Sequence, residues 1–196
     1  MIKLVEKEKD NVIKMPQLSE TDRQFIVLEK QQELIREQAK LIAEKKMTFQ
    51  LSNRSKDRLE GVNPQLVQVV NEAIKRTKID FGVTCGMRTV EEQEKLVASG
   101  ASQTMKSKHL EGRAVDLVAY IGSNITWKLN KYDEIADAMA QAARDQGIAI
   151  KWGAAWSVGN IAEWDGSMED AMNSYVDLRR SQGRRPFIDA PHFEMM

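Results

Sequence analysis

The chain of 196 residues has few of the features that mark several large classes of protein. Its single cysteine, Cys85, excludes an internal disulfide framework and a cysteine-rich zinc cluster. It has no apolar run of roughly 18 residues, the length that crosses a membrane, so we expect no membrane insertion. Its 29 basic and 29 acidic residues cancel, so the charge gives no indication of a nucleic-acid partner.

The N-terminal stretch lacks the pattern of an export signal. Residues 1–14 are charged throughout and contain no apolar core of the kind that a signal peptide has. We therefore expect the chain to be made and kept in the cytoplasm. With 42% hydrophobic and 30% charged residues, the composition is that of a folded globular chain rather than a disordered one.

Residues 1–46 are rich in lysine, glutamate and glutamine and contain no glycine. Steps of three and four between successive positions predict a helix with one narrow apolar seam, interrupted by one glutamine. The seam consists of Phe25, Leu28, Gln32, Ile35, Ala39 and Ile42. Ser19 or Thr21 would begin the helix, and Thr21 with Gln24 has the spacing of a capping box. The seam suits either a short coiled coil, with self-association through residues 19–46, or a solvated helical extension.

From Met47 onward the pattern becomes that of an α+β domain. No glycine-rich phosphate loop follows any predicted strand, and strands and helices do not alternate strictly, which argues against a doubly wound nucleotide fold. We predict a small antiparallel sheet flanked by helices over residues 47–196, with residues 1–46 as a helical extension. Predicted helices cover 63–77, 89–100, 131–147 and 167–182, and predicted strands cover 79–86, 112–120, 148–153 and part of the closing segment 185–196.

One of the chain's two histidines lies in the stretch SKHLEGRAVDL. His109 precedes a predicted strand on which Asp116 has apolar neighbours. A buried carboxylate is costly without a partner, so Asp116 implies a cation, a metal or hydrogen-bond donors. A spacing of seven would put the two side chains on opposite faces of a straight strand. A bend must therefore intervene, and Gly112 can supply it.

The second histidine, His192, lies at the end of a predicted strand, with Asp189 before it and Glu194 after it. Two histidines and one aspartate would give a zinc ion three ligands and leave its fourth position open for water. Asp189 would then be available as a general base or as a partner that orients a histidine. The residues alone leave open ordinary structural roles for both histidines and an arginine ion pair for Asp116, and they do not assign Glu194.

Three motifs together resemble one family of enzymes. SKHLEGRAVDL resembles the S-x-H-x-x-G-x-A-x-D signature of zinc peptidases that include D-alanyl-D-alanine carboxypeptidases and phage L-alanyl-D-glutamate endopeptidases. DAPHFE resembles the closing motif of this family, and CGMRT resembles the segment that carries its active-site arginine. The motifs occur in the family's order within residues 47–196. The residues within and around these motifs are most similar to those of the phage endopeptidases, the endolysins.

The resemblance implies a role for each matching residue. His109, Asp116 and His192 would bind Zn²⁺. Asp189 would be the general base that deprotonates the attacking water. Arg88 would bind the substrate at the scissile carbonyl and stabilise the oxyanion, although an arginine after a strand also suits a surface ion pair.

The resemblance also implies the substrate and the biological role. Ser107 would help to position the stem peptide of bacterial peptidoglycan, unless it is only a turn residue. Hydrolysis of the L-alanyl-D-glutamate bond would lyse the host, and the enzyme would stay in the host cytoplasm until its release to the cell wall. Two alternatives remain: a D,D- or L,D-carboxypeptidase on the same scaffold, and a catalytically silent zinc-binding interaction module. The acid at Asp189 together with Arg88 favours an enzyme.

The sequence departs from the phage endopeptidases after the third predicted helix. Those enzymes often have a Gly-Gly-Asp-Trp run there, whereas KWGAAW contains no acid. The long polar segment 157–184 follows, and we expect it to cover the cleft. Trp152, Trp156 and Trp164 would either line a substrate groove or pack in the core.

Overall fold

The computed structural model describes residues 19–46 and 48–196. The chain divides into two compact units, residues 1–47 and 48–196. The charged N-terminal stretch examined for a signal peptide lies outside the described residues. None of the described helices is both long and apolar enough to cross a membrane.

The described part of the first unit is one helix, α1, Glu20–Lys46. Ser19 caps it, since its hydroxyl accepts a hydrogen bond from the amide of Asp22 at 3.1 Å. The carboxylate of Asp22 accepts in return from the amide of Ser19 at 3.1 Å. The capping box thus joins Ser19 and Asp22 rather than Thr21 and Gln24, because the helix begins at the earlier of the two predicted caps.

The predicted seam of α1 is exposed where its side chains are described. Phe25, Leu28 and Ile35 are all more than half exposed. The side chains of Ala39 and Ile42, which complete the seam, lie outside the description. Self-association through this helix therefore stays a prediction.

The second unit has the α+β architecture that the sequence predicts, with helices around a small antiparallel sheet. Its helices are α2, Asn53–Asp57; α3, Pro64–Arg76; α4, Val90–Ala98; α5, Leu129–Gln146; and α6, Met168–Ser181, with 3₁₀ turns at Lys108–Glu111 and Ile161–Glu163. Its strands are β1, Asp80–Cys85; β2, Ala114–Ile121; β3, Asn124–Thr126; β4, Ile150–Trp152; and β5, His192–Met195. The sequence did not predict α2 or β3, which are too short to show a periodic pattern.

The predicted caps begin and end the longer helices. Asn63 caps α3, with Pro64 in its first turn. Thr89 and Glu92 form a reciprocal capping box at the start of α4. Gly147 ends α5 with φ at 65°, the left-handed conformation that glycine adopts without strain. Local side-chain chemistry therefore sets these helix ends.

The sheet has the strand order β1-β2-β5-β4, all antiparallel, with β3 paired to β2 off this path. Strand β2 is therefore flanked by β1 and β5, and Asp116 is its third residue. On one side Asp116 is opposite His192 of β5. On the other side it is opposite Cys85 of β1, where the register shifts after Val83. The sheet thus gathers chemically active side chains around Asp116.

His192 is the first residue of β5, so the prediction that it ends a strand was wrong. Pro191 has no amide N–H and cannot extend the ladder of hydrogen bonds. Its carbonyl still accepts from the amide of Leu117 at 2.9 Å. Regular pairing therefore starts at His192, directly opposite Asp116.

Alternate residues of β2 divide the sheet into a core face and a cleft face. Val115, Leu117 and Ala119 belong to the hydrophobic core, which α3 and α5 help to form. Trp152 is also fully buried in this core, with its ring 6.3 Å from that of Phe193. Asp116 lies on the opposite, cleft face of β2 because neighbouring side chains alternate along a strand.

Candidate functional site

Three side chains predicted as metal ligands converge where the start of β5 pairs with β2. Nε2 of His109 lies 3.2 Å from Oδ1 of Asp116 and 3.3 Å from Nδ1 of His192. Nδ1 of His192 lies 3.1 Å from the same Oδ1. Four ligands arranged tetrahedrally at about 2.0–2.1 Å from zinc are about 3.3–3.4 Å from one another. The three atoms therefore have nearly the separations that one tetrahedral zinc ion requires.

The bend predicted at Gly112 directs His109 back toward β2. His109 lies in the 3₁₀ turn Lys108–Glu111, and Gly112 ends that turn with φ at 63°, a conformation that favours glycine. A Cβ at Gly112 would also clash with the carbonyl oxygen of Gly61. Through this turn His109 and Asp116 face the same point despite their spacing of seven.

The hydrogen bonds of His109 determine which ring nitrogen faces the cluster. Its Nδ1 lies 2.7 Å from the carbonyl oxygen of Gly86. A carbonyl can only accept a hydrogen bond, so Nδ1 carries the proton. The lone pair of neutral His109 is then on Nε2, the atom that faces Asp116 and His192. A second hydrogen bond of this kind commonly orients histidine ligands of metals.

Cys85 is an alternative third ligand that the sequence prediction missed. The ligand atoms of Cys85, His109 and Asp116 all lie within 4.8 Å of one another, so these residues could hold a metal ion. Sγ of Cys85, however, approaches His109 at Nδ1, at 3.7 Å, the nitrogen that faces the Gly86 carbonyl. The set that contains His192 instead uses the free Nε2, so we favour it over the set with Cys85.

Interactions within the cluster affect the pKa values of its three residues more than burial does. Burial alone lowers the pKa of His109, but Asp116 and Cys85 raise it to about 10. The pKa of His192 is raised to about 9, against the effect of burial, by Asp116 and by Glu194, which is 3.2 Å from Nε2. Burial raises the pKa of Asp116, but both imidazoles outweigh it and hold this pKa well below its usual range. A metal ion must therefore displace protons to bind here.

Arg88 lies beside the cluster, and hydrogen bonds to neighbouring side chains fix the orientation of its guanidinium. Its Nη2 is 3.2 Å from Sγ of Cys85 and 3.4 Å from Oδ2 of Asp116. Its Nη1 donates to Oε1 of Gln93 at 2.7 Å, and the Gln93 amide donates to the loop 102–104. The side chain of Arg88 is only 12% exposed and forms an ion pair with Asp116 inside the cleft. The sequence left open an arginine partner for Asp116, and the structure has one, whereas Arg88 does not form a surface ion pair.

Asp189 and Ser107 also line the cleft. Within the part of the chain that is described, the Asp189 carboxylate makes no hydrogen bond. Burial raises the pKa of Asp189, and the charge of Asp116 adds to this effect against that of His192. Such a carboxylate can accept a proton. The hydroxyl of Ser107 accepts from the amide of His109 at 3.4 Å, so Ser107 caps the turn as well as facing the cleft.

Gly153 allows the chain to close around Asp189 and His192. Its amide donates to the carbonyl of His192 at 2.9 Å, and its carbonyl accepts from the amide of Asp189 at 2.9 Å. A Cβ at Gly153 would clash with the carbonyl oxygen of Asp189. The small residue is therefore needed for close approach of two backbone segments.

Replacing Gly153 with alanine should destabilise the fold by roughly 1–3 kcal/mol, the usual cost of overpacking, and should reduce metal binding. Gly159→Ala is the matched control, since a Cβ at Gly159 meets no atom within 4 Å. The free energy of unfolding in urea measures the loss of stability, and the zinc content of the folded variant measures the loss of metal binding. A Gly153→Ala variant as stable as Gly159→Ala would contradict this account of the turn.

The cleft around the cluster has a volume of about 770 Å³ and contains aromatic walls. Trp156 lies 5.7 Å from the ring of His192 and stacks with Phe187 at 6.3 Å. Trp127, which the sequence prediction missed, also lines the cleft and is 64% exposed.

The long polar segment 157–184 does not cover the cleft, so that expectation was wrong. None of its residues, all of them described, lines the cleft. Its helix α6 packs on α5 instead and buries Met168, Ala171 and Met172. Trp164 packs against the core, so Trp156 is the one tryptophan of the three predicted that lines the cleft.

Sequence comparison agrees with the resemblance read from the three motifs. Residues 47–196 match the profile of a family described as phage L-alanyl-D-glutamate peptidase. The chain belongs to this family. An L-alanyl-D-glutamate peptidase of Escherichia phage T5 is 33% identical over 115 residues, which cover 57% of this chain and 84% of the phage protein. An L-alanyl-D-glutamate peptidase of Listeria phage A118 is 39% identical over 71 residues, covering 36% of this chain and 24% of that protein.

A solved structure shows the same relationship. The crystal structure of the Serratia marcescens L-Ala D-Glu endopeptidase ChiX superposes with a TM-score of 0.57 at 31% sequence identity. The match covers 76% of this chain and 92% of the Serratia chain. The predicted family is therefore confirmed by both sequence and structure.

Proposed function

We propose that the protein is a zinc-dependent endopeptidase that hydrolyses the L-alanyl-D-glutamate bond of the peptidoglycan stem peptide. Membership of the phage peptidase family supports the reaction. The observation that carries the zinc proposal is the convergence of His109, Asp116 and His192 at 3.1–3.3 Å in one cleft. The two nitrogens and one carboxylate oxygen form a donor set that zinc commonly accepts, with a fourth position left for water or substrate.

The residues of the cleft suit peptide hydrolysis. When bound, a zinc ion would supply a Lewis acid that polarises the peptide carbonyl and makes water easier to deprotonate. Asp189 takes a proton from the attacking water and returns it to the leaving amine. Arg88 donates to the oxygen of the scissile carbonyl as negative charge develops there, a kind of interaction worth roughly 3–4 kcal/mol. Ser107 contacts the substrate beside the ligand turn.

We also infer that the enzyme lyses the host of a phage and that it stays in the host cytoplasm until it is released to the cell wall. The phage origin of the matching family supports this role. The carboxypeptidase and the silent zinc module remain outcomes of the test below, since no contact in the described cleft favours either.

Digestion of purified peptidoglycan tests the proposed reaction. Mass spectrometry of the products should show new N-terminal D-glutamate, or its amidated form, with L-alanine left on the glycan. Release of free D-alanine alone would instead support the carboxypeptidase. The absence of any product from zinc-loaded protein would support the silent module.

We propose that the peptidase domain spans residues 47–196 and that residues 1–46 are dispensable for chemistry. All the proposed ligands and catalytic residues belong to this domain. A chain that starts at Met47 should hydrolyse soluble wall fragments within about threefold of the full-length rate. If the helix mediates self-association, sedimentation should show that only the full-length chain forms a larger species. A loss of turnover beyond about tenfold, with zinc content and folding intact, would contradict the proposed boundary.

A further inference from the structure

A second groove adjoins the metal cleft, and nothing in the proposed catalysis uses it. Trp156 and Phe187 line both cavities and form the wall between them. The groove has a volume of about 520 Å³, and α6 contributes Tyr175, Leu178 and Arg179 to its lining. A ligand seated in the metal cleft could therefore continue past the aromatic pair into the groove.

Two side chains that line the groove each have a buried hydrogen-bond donor without an acceptor. Nε of Arg179 and Nε1 of Trp156 are both buried and have no hydrogen-bond partner among the described residues. Leaving such a donor unpaired costs roughly 1–3 kcal/mol. Arg179 therefore has a donor without an acceptor in the described part of the chain.

The groove carries only positive charge, from Arg179. No aspartate or glutamate lines it, and within residues 19–46 and 48–196 no carboxylate forms an ion pair with Arg179. The neighbouring Arg180 differs, because it pairs with Asp177 at 3.7 Å on the exposed side of α6. A guanidinium presents planar donors that match a carboxylate. The groove is therefore complementary to a carboxylate attached to an apolar or aliphatic segment.

We propose that this groove binds a carboxylate of the stem peptide, on the residue that follows D-glutamate. The inference rests on the proposed function. The alanine side of the scissile bond leads to the glycan, whereas the D-glutamate side leads to the rest of the peptide and its carboxyl groups. Substrate bound in this way has its leaving half directed toward α6.

The spacing of the aromatic rings beside His192 indicates how far along the peptide the carboxylate lies. The ring of Trp156 lies 5.7 Å from that of His192 and 6.3 Å from that of Phe187. Extended chain advances about 3.3–3.6 Å per residue. Passing the Trp156 ring thus takes about two residues, so the group belongs to the second residue after the scissile bond rather than to D-glutamate itself.

Two synthetic stem peptides test the proposal. They differ only in the side-chain carboxyl of the residue after D-glutamate, which is free in one peptide and amidated in the other. With the zinc-loaded full-length enzyme, amidation should raise KM about tenfold and change kcat less than about threefold, because the groove is remote from the scissile bond. Arg179→Gln should abolish this preference, and Arg179→Lys should restore part of it.

Arg180→Gln is the matched control and should keep the full preference. Zinc content and thermal unfolding of each variant exclude a loss of folding as the cause. Wild-type cleavage without a carboxylate preference would overturn the proposed carboxylate site in the groove and leave the proposed function intact. A preference that persists in Arg179→Gln would have the same consequence. Failure of the wild-type enzyme to cleave either peptide between L-alanine and D-glutamate would contradict the proposed function and the groove together.

Discussion

His109→Ala and His192→Ala should each lower the zinc content from about one ion per chain to near zero and reduce hydrolysis by at least about 1,000-fold. Each substitution removes one of the three proposed ligands, whose donor atoms lie 3.1–3.3 Å from one another. Loss of the ion removes both the polarisation of the carbonyl and the activation of water. Elemental analysis and turnover of a soluble stem peptide measure the two effects on the same samples.

Cys85→Ser distinguishes the two possible ligand sets. Cys85, His109 and Asp116 could also hold a metal ion, but Sγ of Cys85 approaches the ring nitrogen of His109 that faces the Gly86 carbonyl. We therefore expect Cys85→Ser to retain its zinc, while His192→Ala loses it. Zinc lost from Cys85→Ser and kept by His192→Ala would show that the cysteine is the third ligand.

The second large effect separates the proposed base from the proposed ligand. Asp189→Asn should retain about one zinc per chain and lose about 10²–10⁴-fold in kcat, because the amide keeps the shape but cannot accept a proton. Asp116→Asn should weaken zinc binding itself, since its Oδ1 lies within 3.2 Å of both imidazoles. Zinc affinity and kcat of the two variants check the assignment. Loss of zinc from Asp189→Asn, with normal zinc in Asp116→Asn, would exchange the two roles.

Features that depend on neighbouring residues could be predicted from the sequence. The Thr89 and Glu92 capping box starts α4 because both partners lie in one helical turn. The bend at Gly112 followed from the spacing of His109 and Asp116 combined with strand alternation, and the structure has a left-handed glycine there. Such arguments need no knowledge of which strands pair.

Features that depend on strand pairing could not be predicted in this way. Cys85 lies opposite Asp116 only because the register shifts after Val83, and no local pattern marks that shift. Trp127 lies between β3 and α5, Phe187 lies between α6 and β5, and no periodic pattern marks either residue as part of the cleft. The length and polarity of segment 157–184 predicted that it covers the cleft. Its helix α6 packs on α5 instead, through apolar side chains.

Titration of the metal-free enzyme with zinc, while hydrolysis of a soluble stem peptide is followed, tests the central claim most directly. We predict that activity is absent at the start, rises in proportion to added zinc and saturates at one ion per chain, with no response in His192→Ala. Full activity of the metal-free enzyme, or an equal response of the His192→Ala variant, would contradict a catalytic zinc held by His109, Asp116 and His192.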